Sequence, residues 1–508
     1  MRCSESRTAG RLLKSITFII CLCLLFYLFI TIFHIAIAPL RNSDAYWQVR
    51  TGEIILDSGK IPDTDPFSYT IAGSPWNNHQ WGYEILVALL YRCCGWAGFR
   101  IATAAIFLTL SFLIVFVIIK RHGPAEAVLV LSLFIQLAFY KFNPACQTLS
   151  IFLPAYYFFA RADTFISSWK TSSLCLLLFL WGNLTAEVVV FLPFIAADVV
   201  LEIISRRSGA SASESRPETL HSTRWIFLLF LGAMVMPLLN PPESSVLDYV
   251  LEGTMVNQLV NNEFTPLWLE AASVYDWSKL VARFIVIVFI LLSAVAVIRG
   301  PRRIAILRRY MPGLLCVCAA VLYERNIWML IIPVVIMLGD LQSLSWFKKC
   351  RGSAGIAILA IALLIHVPFA VESRLSPART FRELSLPWYY STDLDYRLIP
   401  LSCADAIRRD HANTKVFTRR LWASYLIHAA PASRVFYDGR NREYPMEIHM
   451  AGREIETAGP NANALLDATG TDIVMAQPGW NRKNRLLQKK WIPAGSAPNC
   501  SIFVRRKP

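Results

Sequence analysis

Apolar runs recur at about eleven places along the chain, each near the length a bilayer needs or forming one of a closely spaced pair. No other feature restricts the fold as much. The chain has 508 residues and 55% of them are hydrophobic. A soluble core cannot absorb that much apolar sequence in long discrete runs, so a polytopic membrane protein is the expected class. The runs lie near residues 15–39, 99–119, 124–141, 147–160, 171–182, 185–203, 225–239, 281–298, 311–323, 327–339 and 353–371. The pairs meeting at WGNLTAE and YERNIW read either as two tilted helices each or as broken re-entrant units. The first run exceeds a secretory h-region, which spans about 7–15 residues. Its length favours an uncleaved span over cleavage after Ala38.

The formal net charge is +15. The basic residues stand beside apolar runs, so they read as topology and anionic-lipid contact, not as a nucleic-acid surface. With the N-terminus inside, Lys120-Arg121, Arg161, Lys170, Arg206-Arg207, Arg224, Arg299 to Arg309 and Lys348 to Arg351 fall in the cytoplasm. The inner segments then hold roughly twenty Lys and Arg, against fewer than half as many in the outer loops. The first loop (40–98), the loop 240–279 and the tail face outward. The expected architecture is mostly α: a multi-pass domain over 1–371, a linker over 372–399, and an extracytoplasmic small α/β domain over 400–508. In that tail KVF, RVFYD, DIVMA and SIFVRR read as strands between helical patterns, and it is large enough for its own core. Cys21, Cys23, Cys175, Cys316 and Cys318 lie inside apolar runs as small hydrophobes. Cys403 and Cys500 share the tail, and the sequence leaves open whether they pair. There is no CxxC and no zinc spacing.

The first loop carries the densest chemistry. SDAYWQVRTGEIILDSGK has a helix start at Ser43 or Asp44 and a stop at Gly59 and Pro62. Trp47, Ile54 and Ile55 share one side, so this helix is expected in the interface with Trp47 at headgroup depth. Asp44 then sits at the membrane edge, and its plain alternative role is an N-cap. DTDPF and AGSP are turns. HQWGYEILVALLYR reads as a second amphipathic helix carrying His79, Trp81 and Glu84. Acid and imidazole groups among aromatic rings suit a sugar, which offers an apolar face and many hydroxyls. Asp44, Glu84 and His79 are the candidate catalytic groups; Trp47, Asp65 and Trp81 are candidate substrate contacts.

Polar groups also interrupt the apolar runs, although a central charge costs about 2.5–3.5 kcal/mol on insertion scales. Asn183 and Glu187 break one stretch, and Glu324, Arg325 and Asn326 break another. Both breaks fall at outward ends, as expected of a polar cavity shared with Asp44. Local pairing of Glu324 with Arg325 is the alternative. Arg325 leads as a donor-phosphate ligand because its fork matches phosphate oxygens, and Lys141 is second. The loop 240–279 adds Glu263, which joins Asn183, Glu187 and Asn326 as cavity candidates. No phosphate-cradling Gly loop, Walker motif, HExxH or GxSxG is present, so nothing indicates an ATPase or a serine hydrolase. YDGRNREY, with Asp438, Arg440 and Tyr444, reads as a structural turn at a strand end.

DAYWQVRTGEIILDSGKIPDTDPFSYT, followed by WNNHQWGYEILVALLY, resembles the first outer loop of a widespread group of bacterial polytopic membrane proteins. That group is similar to GT-C-type glycosyltransferases, which use polyprenyl-phosphate-linked sugars. The resemblance continues through LWGNLTAE, LLNPPESS, NNEFTPLW, ERNIW and LWASYLIHAAPASRVFYDGRNREY, and covers nearly everything after residue 40. It implies a GT-C-like fold in the bacterial cytoplasmic (inner) membrane, a polyprenyl-phosphate sugar donor entering from the lipid, and an extracytoplasmic acceptor. It also implies a catalytic base or acceptor-orienting carboxylate at Asp44. The chain departs from the group's pattern at Gln48, Gln80 and Thr185, where the group often has His, Glu and His. Those departures count against a divalent metal, and no cofactor is expected. Two other classes stay open: a lipid or polysaccharide transporter, and a non-catalytic assembly or sensor relative. A transporter favours repeated halves and acids near the midplane; no repeat is visible here, and the acids crowd the outer loops.

Overall fold

The computed structural model describes residues 2–40, 42–139, 168–185, 192–207, 277–299, 303–345, 351–373 and 399–506, with isolated positions 228, 231–232, 235, 241, 267–268 and 347. Lys141, Glu187 and Glu263 lie outside the described residues, and only the backbone of Arg325 is described.

The run 147–160 lies outside the described residues, and the described parts of the other apolar runs fold as helices. They are α1 (Arg2–Ala36), α3 (Trp81–Arg121), α4 (Pro124–Leu137), α5 (Ser168–Leu184), α6 (Leu192–Arg207), α7 (Trp277–Arg299), α8 (Arg303–Leu322), α9 (Ile331–Ser343) and α10 (Arg351–Glu372), with the loop helix α2 (Asp44–Ser58) after the first. Among the described residues five segments are long and apolar enough to cross a membrane: Leu12–Ala36, Trp81–Arg121, Trp277–Arg299, Asn326–Ser343 and Ser353–Val371. The described residues therefore account for part of the eleven expected spans. Large apolar side chains such as Phe26, Phe112, Phe284 and Leu364 point outward, as a lipid-facing rim requires. The short helix α4 is buried from Ala125 through Leu137. It packs against α10, α3 and α1, and a helix apolar on every side belongs at such a centre.

Two interruptions have definite shapes, the second of them the expected break at YERNIW. Helix α3 is interrupted at Gly95 (φ 58°, ψ −157°), which separates the amphipathic first part from the apolar remainder. YERNIW is a 3-10 segment, Glu324–Leu330, joining α8 to α9. Glu324 pairs with Lys279 at 2.7 Å.

The tail contains a five-stranded sheet. Strands β1 (Lys415–Thr418), β2 (Arg434–Val435), β3 (Ile473–Ala476), β4 (Trp491–Ser496) and β5 (Ser501–Arg505) lie in the order β2-β1-β3-β5-β4. β1 is parallel to β2 and to β3, whereas β5 is antiparallel to β3 and β4. All four strand-like runs of the sequence lie in this sheet. β4 is not among those runs; it is an edge strand with its irregularity between Pro493 and Gly495, where proline is tolerated. Helices α11 (Leu401–Asp410), α12 (Arg420–Ala429), α13 (Met446–Glu456), α14 (Ala462–Ala468) and α15 (Arg485–Lys490) flank it. Cys403 and Cys500 do form a disulfide, with Cα atoms 6.4 Å apart.

One face of the tail buries its own core, with Phe417, Phe436, Tyr444, Leu466 and Trp491. The other face does not stand alone. Val416, Trp422, Leu426, Val435 and Ile473 share a core with Tyr46, Trp47, Phe67, Trp76, Tyr83 and Phe99 of the first loop and α3. The loop also extends the sheet. Ser68 bridges Val435 in parallel register, Val435 N–H donates to the Phe67 carbonyl (3.0 Å) and Tyr69 N–H donates to the Val435 carbonyl (3.0 Å).

Helix α2 is held directly on α3. Gly52 lies so close to the Glu84 carbonyl and the Ala88 side chain that a Cβ there would overlap both. Backbone on one side leaves no room to yield. Gly52→Ala is therefore expected to lower stability by about 1–3 kcal/mol, the usual cost of overpacking. A thermal unfolding midpoint unchanged from wild type would contradict this contact.

Candidate active site at the junction of loop and tail

Asp44 opens α2, immediately beyond the first apolar helix. It is not the cap. Neither Ser43 nor Asp44 caps the helix; the Asp44 N–H donates to the Asn42 side chain at 3.1 Å. The Asp44 carboxylate instead accepts from Trp47 Nε1 at 3.3 Å and from Ser43 Oγ at 3.5 Å. Asp44, Gln48 and Gly52 fall at i, i+4 and i+8, one stripe of the helix. Gly52 on that stripe meets α3, so the stripe is directed toward the start of α3.

The tail closes over the same place. Gly439 approaches so near that a Cβ would collide with Asp44 Oδ1, and it would stand 3.1 Å from Ser424 Oγ and 3.3 Å from Trp47 Nε1. Gly439 N–H donates to Ser424 Oγ at 3.1 Å, fixing the turn to α12. Only a residue without a side chain permits this approach. Trp47, expected at headgroup depth, is instead 4% exposed and packs edge-on against Trp76 with ring centroids 6.3 Å apart. The interface reading of α2 overlooked the tail, which covers that side.

A buried ionic knot holds the turn. Arg440 donates to Asp438 through Nε (2.9 Å) and Nη2 (2.7 Å), and to Asp65 Oδ1 through Nη2 (2.5 Å). Tyr444 donates to Asp438 Oδ2 at 2.8 Å. The guanidinium also lies over the rings of Trp76 (4.6 Å) and Phe67 (5.0 Å). Burial opposes the charge on Arg440, but Asp438, Tyr444 and Asp65 outweigh it and hold its pKa well above the ordinary value. Burial, then Asp438, pushes the Tyr444 phenol far up, so it stays a donor. Asp65 further accepts from Ser68 N–H (2.9 Å) and Ser68 Oγ (2.5 Å). Expected as a substrate contact, Asp65 is fully engaged in pinning loop to tail.

The other candidates divide. Glu84 is fully buried at the α2–α3 contact, and its carboxylate accepts from Asn78 Nδ2 at 2.6 Å. Trp81 and His79 are half-buried at the start of α3. Asn183 is brought to the same place: a Cβ on Gly82 would stand 2.7 Å from the Asn183 carbonyl. Asn326 is buried and donates to the Ala319 carbonyl at 3.3 Å, closing the end of α8. The segment carrying Arg325 packs against α8, α7, α9 and α4. Sequence reasoning missed Gly439 and Ser424, and it took Arg440 for part of a local turn. YDGRNREY was visible, but its partner Asp65 lies 375 residues away.

Outside the knot, an aromatic joint fixes α12 to α3. His428 Nε2 bonds the Tyr91 hydroxyl at 3.1 Å and lies edge-on to Trp96, ring centroids 5.0 Å apart; Tyr46 contacts Trp96 and Tyr425. Burial, with Arg50 adding to it, lowers the His428 pKa to about 4. A depressed histidine stabilises the fold above its unfolded value of roughly 6.5, and that contribution fades as pH falls toward the folded value. At pH 5 the expected loss is about 2 kcal/mol. Thermal unfolding at pH 7.5 and pH 5 should show this drop in wild type and much less of it in His428→Phe; equal drops would remove His428 from the account.

No family model and no curated protein matches the sequence. Solved structures do. The oligosaccharyltransferase of Archaeoglobus fulgidus, tethered to an acceptor peptide containing the NVT sequon, aligns with 96% of this chain and 74% of its own at 12% identity and a TM-score of 0.53. The chain has a GT-C-like fold. The apo form of the same enzyme aligns at 11% identity over 96% and 74% of the two chains, with a TM-score of 0.51. ArnT from Cupriavidus metallidurans, bound to undecaprenyl phosphate, covers 96% of this chain and 97% of its own at 11% identity, but its TM-score of 0.46 is too low to bear on the reading. In this GT-C-like chain the first loop and the tail meet around Asp44.

Proposed function

We propose that this protein is a membrane glycosyltransferase that moves a sugar from a polyprenyl-phosphate carrier to a hydroxyl acceptor at the outer face of a bacterial cytoplasmic membrane. The carrying observation is the place of Asp44 in a GT-C-like fold: first residue of α2, just past the first apolar helix, at the seam where the tail meets the loop. The donor class follows from the first-loop resemblance. The reaction is a single displacement. Asp44 takes the proton of the acceptor hydroxyl, the acceptor oxygen bonds to the anomeric carbon, and the carbon–oxygen bond to the lipid phosphate breaks. Arg325 and Lys141 are the candidates to steady the leaving phosphate, and Asn183, Glu187, Glu263 and Asn326 are the candidates for the approach. The half-buried rings of Trp81 and His79 border the sugar.

Labelled polyprenyl-phosphate sugar supplied to membranes tests the reading. Wild type should transfer label to an extracytoplasmic acceptor fraction, and Asp44→Asn should not. Equal transfer by both proteins would take Asp44 out of the chemistry.

A further inference from the structure

The tail has a feature that glycosyl transfer does not use. β1 crosses to β2 through α12, whose Trp422, Ala423 and Leu426 pack on the loop-facing core. β2 reaches β3 through α13 and α14, whose Ile455, Ala462 and Leu466 pack on the opposite face. Beyond β3 the chain turns to that opposite face too, with Trp480 and Leu487. The connections leaving the neighbouring parallel strands β1 and β3 therefore part to opposite sides. Open α/β sheets bind ligands in the crevice at such a switch point, outside the carboxyl ends of the strands.

The residues at this crevice are basic. β1 ends at Thr418, and Arg419 and Arg420 follow as N-cap and first residue of the ten-residue helix α12. No side chain caps that helix. Cations are disfavoured at the positive end of a helix dipole, yet two stand here, and neither makes an ion pair with a carboxylate among the described residues. Arg419 lies over the Trp422 ring at 4.9 Å, and Arg420 donates to Asn441 Oδ1, in the segment that follows β2, at 2.5 Å. Thr418, the last residue of β1, is 0% exposed, and its hydroxyl has no hydrogen-bond partner among the described residues. A buried hydroxyl without a partner costs free energy that an oxyanion ligand would recover.

We infer that the carboxyl end of β1, with Arg419, Arg420, Thr418 and the first amides of α12, is a phosphate-binding site on the tail. Guanidinium forks and helix-start amides together match the oxygens of a phosphate group. The ligand is a phosphate ester presented outside the membrane, either on a soluble glycan or as a lipid headgroup. The inference does not depend on the catalytic role of Asp44.

The full chain in neutral-lipid nanodiscs tests it. Thermal unfolding is followed while inorganic phosphate is added at constant ionic strength, with chloride as control. A second arm adds a short prenyl phosphate to the discs. A saturable rise in midpoint is expected with phosphate and not with chloride. Arg419→Gln should weaken the apparent affinity at least tenfold, Thr418→Val should weaken it less, and the Arg419→Gln/Arg420→Gln double variant should abolish the rise. Arg419→Gln decides if the double variant does not fold, because the Arg419 side chain stacks on Trp422 and its loss leaves the Arg420–Asn441 bond intact. A rise with inorganic phosphate assigns the site to soluble esters, and a rise with prenyl phosphate alone assigns it to a headgroup; both support the site when Arg419→Gln weakens them. No saturable rise with either anion, or one of equal affinity in Arg419→Gln, overturns the inference.

Discussion

Replacing Arg440 with glutamine is expected to lower stability by about 3–5 kcal/mol, the cost of leaving buried charge without its partner. Two carboxylates, Asp65 and Asp438, would remain face to face in a region closed to water. Domains are stable by only about 5–15 kcal/mol in total, so the loss is a large share. It should also appear locally. Asp65 is the loop's ionic hold on the tail, and the strand-like pairing of 67–69 with β2 depends on the same alignment. Proteolysis of the first loop should accelerate together with the fall in melting temperature. Arg440→Lys should not rescue, because one ammonium cannot span Asp438 and Asp65 in the geometry of a planar fork. A double-mutant cycle with Asp65→Asn should return strong coupling; additive effects would mean that the two residues stabilise separate parts.

Converting Asp44 to asparagine is expected to slow sugar transfer by about 10²–10⁴-fold, the usual contribution of general-base help. Asparagine keeps the shape and can still accept from Trp47, so stability should change by no more than about 0.5 kcal/mol. The loss should fall on kcat, because a base acts on the proton in flight and not on the bound sugar. The two variants thus separate two roles of one junction. Arg440→Gln loosens the fold, whereas Asp44→Asn leaves the fold intact and removes chemistry. A rate unchanged in Asp44→Asn, with wild type active, would move the base elsewhere in the first loop.

The sequence by itself determined the class of this molecule. Long apolar runs have no stable place outside a bilayer or a buried bundle, and the short β-branched runs of the tail favour strands. Those signals are local, and local spacing reports them directly. It also placed Asp44 at the exit of the first helix, and it stopped α2 at Gly59, which adopts φ 69°. Only the tertiary structure decided what surrounds Asp44. Trp47 looked like a membrane-interface residue until the tail was seen to cover it, and Asp65 looked like a substrate contact until Arg440 was seen to hold it. The two halves of that knot stand 375 residues apart. No periodicity links them, because a buried charge takes whichever opposite charge the fold brings within reach.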